Sequence, residues 1–453
     1  MDKRDWKRIS LIFIIALLLR LSFMFLLHQR YTSEDLLNQK YDPGEYVGVA
    51  EYLIGLRSDY ENGLLIRGVG YPLFIATSFL LLGYNAWSIL LPQVIISSVT
   101  CVLIYLIARE VIGNHYNAAF MAGLLAAFSL TSISLSVNFL SETLFQVLVV
   151  YSFYLLVKGF KCNNLLFFIA SGVFSGYASL VRMTNVLWPC FIIMAIFIMP
   201  KYYLPHPKKD ILLKCGVFTI ITLLFVGCWS ERNFLIHGIF TPATNGAYLA
   251  VYYWTASSFA NEINVEGQSI FDLPGFYQAT INPTVGVIKV REYWRTQLGI
   301  LPELDDNGEL VNCTERYKQN IRFLSKAITE HPVFMACTFI KNIVINTLEI
   351  DYFHQRIIRP IDKNLIIEIR IFLQFFSIVI FILFWSSLLL YWQKVHDFTI
   401  PLLLTVYLFF AFMSGFGFWQ GSRYFFPGEF SWMVLIPQPL LSFFIFLRKY
   451  LNL

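Results

Sequence analysis

Charge is what this 453-residue chain has least of. Asp, Glu, Lys and Arg make up 14% of it, against ~25% in soluble domains, while 57% is hydrophobic. A soluble fold could not hide that much apolar surface, so a cytosolic enzyme is excluded. Nor is the chain short of aromatics: Phe supplies 44 residues and Tyr 25, which excludes disorder. The apolar runs lack the alternation that strands of a membrane barrel need. The seven Cys form no CxxC pair, and most stand in or beside apolar runs. Neither a zinc site nor a disulfide framework is indicated. No internal repeat or low-complexity tract is present, which weakens an inverted-repeat transporter reading. What remains is an all-α polytopic membrane protein.

The first apolar run, from Ile9 to about Leu27, follows MDKRDWKRIS. It has the charge order of a signal peptide, but it is too long, Arg20 interrupts it, and no small-x-small site follows. It reads as a retained first span. Further spans are predicted near 86–108, 116–137, 140–157, 164–181, 184–200, 211–229, 364–391, 398–418 and 424–446, each approaching the ~20 residues that cross a bilayer core. That makes ten, with both termini inside. Segments 70–83 and 333–350 are apolar but do not fit this count. They are expected to lie at the outer face or to be re-entrant.

The net charge of +5 is distributed as membrane topology predicts, and does not point to nucleic acid. Every predicted inside segment is short and basic: Lys3, Arg4, Lys7 and Arg8; Arg109; Lys158 and Lys161; Lys201, Lys208, Lys209 and Lys214; Lys394; Arg448 and Lys449. The polar mass lies outside, in two loops. Residues 32–67 carry ten charged residues, and residues 230–332 carry nineteen. The expected organisation is an N-terminal membrane module over 1–229 with a catalytic first outer loop at about 28–85, a long outer cap over 230–332, and a juxtamembrane helix with C-terminal spans over 333–453. Within the cap, the stretch RYKQNIRFLSKAITEHP reads as an amphipathic helix ending before Pro332.

Several residues beside the apolar runs could carry chemistry. Asp42 suits an N-cap with Pro43 after it and Glu45 and Tyr46 in the first turn. The same carboxylate, just above the bilayer, could take a proton from a hydroxyl. Arg67 stands in Ile66-Arg67-Gly68-Val69-Gly70-Tyr71-Pro72, either a turn with a snorkelling arginine or a seat for a phosphate at headgroup depth. Glu142 begins the fourth span, where a helix N-terminus tolerates it, but an acid at membrane depth is a functional candidate. Arg182, Arg232 with Asn233, and Arg423 with Tyr424 also fall on the outer side, against the positive-inside bias. Arg20, inside the first span, needs a carboxylate, a carbonyl or a lipid phosphate, and a structural pair is the default. His237 has no second ligand nearby and reads as an ordinary loop histidine. Taken together, acids beside arginines on one membrane face suit an anionic lipid phosphate and a hydroxyl acceptor.

The ordered set DxxxY, R-G-x-G-Y-P, S-E-x-L-F, L-V-R-x-T, W-x-x-R-N-F, P-x-x-N-G and R-Y-x-x-P resembles the polyprenyl-phosphate-sugar-dependent membrane glycosyltransferases, a resemblance that runs from about residue 9 to 446. These include the protein O-mannosyltransferase-like enzymes of glycosyltransferase family 39 and the lipid A aminoarabinose transferases. The resemblance implies a GT-C fold of about ten to twelve membrane helices, with the active site between two outer loops. It implies Asp42 as catalytic base, Glu142 as the second acid, and Arg67 and Arg232 as ligands of the carrier phosphate. Glu45, Tyr46, Tyr71, Arg182, Asn233, Arg423 and Tyr424 would support the site. Gly68-Val69 and Ser230-Glu231 depart from the family pattern, and no β-trefoil module is present.

The resulting expectation is an inverting glycosyltransferase of the cytoplasmic membrane with its site facing out. The donor would be a sugar on a polyprenyl monophosphate, undecaprenyl or dolichyl. The acceptor would be a hydroxyl of a glycan, a lipid or a protein Ser/Thr. The rival is a flippase of lipid-linked sugar, which needs no base. No cluster for a tightly held metal is seen, although two acids could recruit a divalent cation loosely.

Overall fold

A computed structural model describes residues 3–39, 42–58, 60–113, 115–250, 254, 313–348, 363–394, 397–416, 423 and 425–442. Among the described residues every regular element is helical. The first helix, α1 (Lys3–His28), leads to three short helices, α2 (Ser33–Leu37), α3 (Asp42–Leu53) and α4 (Glu61–Arg67). Then follow α5 (Gly70–Leu82), α6 (Ala86–Ile112), α7 (Tyr116–Phe128), α8 (Leu130–Ser136), α9 (Glu142–Cys162), α10 (Leu165–Val181), α11 (Trp188–Ile198) and α12 (Lys208–His237). The short α13 (Asn245–Leu249) precedes α14 (Cys313–Glu330), α15 (Pro332–Leu348), α16 (Lys363–Lys394), α17 (Thr399–Ser414) and α18 (Phe430–Leu435). Most of the predicted cap, 255–312, lies outside the described residues, as do Tyr424 and the end of the last predicted span.

Among the described residues, four helices, α1, α6, α9 and α12, are long and apolar enough to cross a membrane, and α7 with α8 forms a fifth candidate bent by 49°. The expected span at 116–137 is thus broken at Ser129, whose hydroxyl caps α8 by accepting from the Ser132 amide at 3.2 Å. The expected span at 184–200 opens with a 3-10 turn, Met183–Leu187, before α11. The expected span at 211–229 runs on to His237, stopping at Gly238 with φ +71°. That left-handed residue is the ordinary glycine end of a helix. Arg232 and Asn233 therefore sit on the helix rather than in the loop after it. Segment 70–83 is α5, which packs against α3, α6 and α10, and segment 333–350 corresponds to α15.

Small residues let the helices approach. On α10, a β-carbon at Gly172 would meet the Phe218 carbonyl at 3.0 Å, and one at Gly176 would meet the Phe225 ring at 2.6 Å, so α10 lies close on α12. Between α9 and α10, the Ser152 and Ser171 hydroxyls each donate to the other's carbonyl, at 3.0 and 2.8 Å.

Arg20 is fully buried in α1. Its Nε donates to Ser97 Oγ and its Nη2 to Ser132 Oγ, both at 2.7 Å. Its Nη1 donates to the carbonyls of Ala16 at 3.1 Å and Ala127 at 3.2 Å. Carbonyls at the end of a helix lack intrahelical donors and carry partial negative charge. The break at Ser129 leaves such groups inside the bundle, and the guanidinium satisfies them. The structural role expected of Arg20 is met by carbonyls and hydroxyls rather than by a carboxylate.

Candidate active site

Four helix ends meet at one end of the bundle. Asp42 starts α3 and Glu142 starts α9, whereas Arg67 ends α4 and Arg182 caps the C-terminus of α10. Acids at N-termini and arginines at C-termini are the arrangement that helix dipoles favour. Arg423 comes from the segment before the 3-10 turn Phe426–Gly428.

These side chains form one ion-pair network. Asp42 Oδ1 accepts from Arg67 Nη2 at 2.7 Å and Asp42 Oδ2 from Arg423 Nη2 at 3.0 Å. Arg67 Nε also donates to Glu45. Glu142 Oε1 accepts from Arg182 Nη1 at 2.6 Å and from Arg423 Nε. Arg423 therefore bridges the two acids. Three carboxylates face three guanidinium groups, so the cluster is charge-balanced. Glu142 is 0% exposed, and its Oε2 has no hydrogen-bond partner. A bare buried carboxylate oxygen is costly and is a natural acceptor for an incoming donor.

The network sets the proton affinity of Asp42. Burial pushes its carboxyl up, but Arg67, then Arg423 and Arg182, outweigh burial and hold it well below the usual carboxylate range. Burial opposes the charge on Arg67, yet Asp42 and Glu45 raise its pKa well above the ordinary value. Tyr46 lies between the acids: its ring is 5.8 Å from the Arg67 guanidinium and its hydroxyl 3.3 Å from Ser141 Oγ. The Tyr71 ring meets Tyr46 edge-on at 4.9 Å.

Backbone packing fixes α4 and α5 against α10. A β-carbon at Gly70 would lie 2.5 Å from the Val181 amide nitrogen, and the Gly70 carbonyl accepts from Tyr177 Oη at 2.9 Å. Gly68, with φ +72°, turns the chain from α4 into α5 and faces the Leu180 carbonyl.

Residues 67–229 match the profile of the family described as dolichyl-phosphate-mannose-protein mannosyltransferase. The matched stretch holds Arg67, Glu142 and Arg182. The archaeal oligosaccharyltransferase from Archaeoglobus fulgidus in its apo form aligns over 99% of this chain, with a TM-score of 0.53 and 12% identity. The same organism's oligosaccharyltransferase AglB, in complex with an inhibitory peptide and a dolichol-phosphate, aligns over 99% with a TM-score of 0.52 and 11% identity. The fold is GT-C. At these identities the likeness is one of fold, and the chain spans about half the length of the archaeal enzymes, 52% and 51%. No curated protein sequence matches it.

Within this GT-C bundle, the structure brings Asp42, Glu45, Tyr46, Arg67, Glu142, Arg182 and Arg423 together, with Tyr71 beside Tyr46. Tyr424 lies outside the described residues. Arg232, expected beside Arg67, pairs instead with Glu61 at the opposite end of α4. Glu61 also accepts from Tyr52 Oη at 2.6 Å, and His237 Nε2 lies 3.6 Å away. The Arg232 guanidinium sits 5.0 Å over the Trp229 ring. Asn233 receives a hydrogen bond from Arg232 and donates to the Thr241 carbonyl at 2.8 Å, which holds the turn after α12. Glu61 was not singled out from the sequence. Its signal is an acid at a helix start, which reads as a dipole residue.

Proposed function

We propose that this GT-C protein is an inverting glycosyltransferase that moves a sugar from a polyprenyl monophosphate to a hydroxyl acceptor at the outer membrane face. The observation that supports this reading most is the Asp42 carboxylate held between Arg67 and Arg423, with Glu142 behind them. Such a site offers a base and a seat for a phosphate within one network. The family profile matched by residues 67–229 and the GT-C fold agree with glycosyl transfer in general.

In this reading the resident ion pairs stand in for the donor. The carrier phosphate takes Arg67 and Arg423 from Asp42, and so removes the charges that hold its proton affinity down. Asp42 then accepts the proton of the acceptor hydroxyl. The acceptor oxygen forms its bond to the anomeric carbon as the bond from that carbon to the phosphate oxygen breaks. One displacement from the opposite face inverts the centre. The phosphate leaves as a dianion on its prenyl chain, stabilised by charge-assisted hydrogen bonds that strengthen as its charge grows. Arg232 would join as second phosphate ligand by exchanging Glu61 for the carrier. A loosely held divalent cation would compete with the arginines for the acids, with Glu142 Oε2 as its open ligand.

Purified protein given polyprenyl-phosphate sugars and hydroxyl acceptors tests the proposal: a new glycosidic bond is expected, and lipid translocation alone would overturn it. The facing of the site rests on the loop charges. In intact cells, a cysteine at exposed Ser58 should react with an impermeant maleimide and one at exposed Tyr202 should not, in a background freed of exposed Cys162, Cys190 and Cys228. The reverse pattern would place the site on the inner face.

A further inference from the structure

Gln93 is a fully buried amide on the membrane helix α6. A polar group at that depth is expensive unless every donor and acceptor is used. Here they are. Its Oε1 accepts from Tyr71 Oη. Its Nε2 donates to the carbonyl of Ser136 at 3.2 Å and to that of Asn138 at 2.8 Å. Ser136 ends α8, where carbonyls lack intrahelical donors, and Asn138 lies in the link that delivers Ser141 and Glu142. On the other side, Tyr71 packs edge-on against Tyr46, which lies beside Arg67 and Ser141.

We propose that Gln93 is a positioning residue that sets the Glu142 half of the site against the Asp42–Arg67 half, by tying the α8–α9 link to Tyr71. This rests on the glycosyl-transfer reading above. Gln93 touches none of the site's ion pairs, so its effect passes through the link and through Tyr71. A displacement of about 1 Å in a reacting group can cost on the order of a hundredfold in rate. Losing two hydrogen bonds to the link should therefore lower turnover without removing the phosphate seat.

The test uses the full chain in lipid nanodiscs, with Gln93→Met, which keeps the volume and removes the polar atoms, and Tyr71→Phe, which removes one hydroxyl. Two readouts are taken: steady-state transfer, and hydrogen exchange over 136–145. Gln93→Met should lower kcat about tenfold or more and leave KM for the lipid-linked donor within about twofold. Exchange over 136–145 should quicken while that of α6 stays unchanged. Tyr71→Phe should have the smaller effect, because it leaves both bonds to the link. An unchanged kcat or unchanged exchange in Gln93→Met overturns the proposal, as does a loss of folding in Gln93→Met accompanied by wild-type kcat in Tyr71→Phe. If the wild type transfers no sugar while exchange still quickens in Gln93→Met, the functional reading fails and the tether stands.

Discussion

Replacing Asp42 with Asn should move rate and affinity in opposite directions. The amide keeps the shape of the side chain but loses its charge and its proton affinity. Loss of a general base costs about 10²–10⁴-fold in transfer. Carrier binding should respond the other way. Asp42 holds Arg67 at 2.7 Å and Arg423 at 3.0 Å, and a phosphate bound as proposed would have to displace those contacts. A hydrogen bond to a charged group contributes about 1.5–3 kcal/mol, so removing this competitor is worth about 10–150-fold in affinity. The Asp42 side chain is 29% exposed, and solvent screening brings the expectation to the lower end, about tenfold. The assay pairs single-turnover transfer with equilibrium binding of polyprenyl phosphate to the same preparation. Wild-type transfer in the variant would remove Asp42 as base. Unchanged or weaker carrier binding would refute the competition between carboxylate and phosphate.

The same contacts dictate the pH behaviour. Asp42 has a depressed pKa in the folded protein, below the ordinary value of 3.8. Its contribution to stability is thus complete above that ordinary value, and is lost only as pH falls through the depressed one. Asp42 is therefore charged in the free protein across the neutral range, and kcat/KM should show no acid limb from it there. A phosphate that takes the arginines, as proposed, would raise the proton affinity of Asp42. The acid limb of kcat should then lie at higher pH than that of kcat/KM.

Gly70→Ala forces a methyl group onto the backbone of Val181 and Leu180, and should lower stability by about 1–3 kcal/mol. It should also weaken transfer by parting Arg67 from Arg182, read as a thermal melt alongside activity. Arg20→Met leaves the Ala127 carbonyl and other acceptors without their donor; at about 1–3 kcal/mol for each unsatisfied buried group, a loss of several kcal/mol is expected, seen as a collapse of the monodisperse peak after detergent extraction. Glu61→Gln frees Arg232. A lower KM for the lipid-linked donor would make Arg232 a carrier ligand, and an unchanged KM would leave it bracing the turn after α12.

The residues of the site were legible because each interrupts or borders an apolar run. Asp42, Arg67, Glu142 and Arg182 stand at ends of helices, and Arg423 in the segment before a 3-10 turn, where a charge in a membrane protein is conspicuous. Their pairing was not legible. Arg423 reaches Asp42 across 381 positions and Glu142 across 281, and no local periodicity encodes contacts of that range. Arg232 was expected to share a phosphate with Arg67 because the family resemblance gave both that role, but α12 continues beyond the expected span and carries it to Glu61. The break between α7 and α8 was hidden for a different reason. Phe128-Ser129-Leu130 contains neither Pro nor Gly, and the donor that makes the break tolerable, Arg20, lies 107 residues before the Ala127 carbonyl it satisfies. Gln93 left a readable trace, a lone amide within an apolar run.

Arg20 also constrains the order in which the chain can be assembled. Its hydroxyl partners, Ser97 and Ser132, are encoded 77 and 112 residues later. At about 5–20 residues per second, the ribosome needs on the order of 4–20 s to supply them. Until then α1 carries an uncompensated cation, which costs about 2.5–3.5 kcal/mol at a helix centre. The helix must wait at the translocon, or rest with its arginine drawn toward the headgroups, and move to its final depth when the fragment containing α8 emerges. Nascent chains arrested before Ser132 should hold α1 loosely, and those arrested after it should hold it fast. The guanidinium thus times the point at which the N-terminal half becomes a single body.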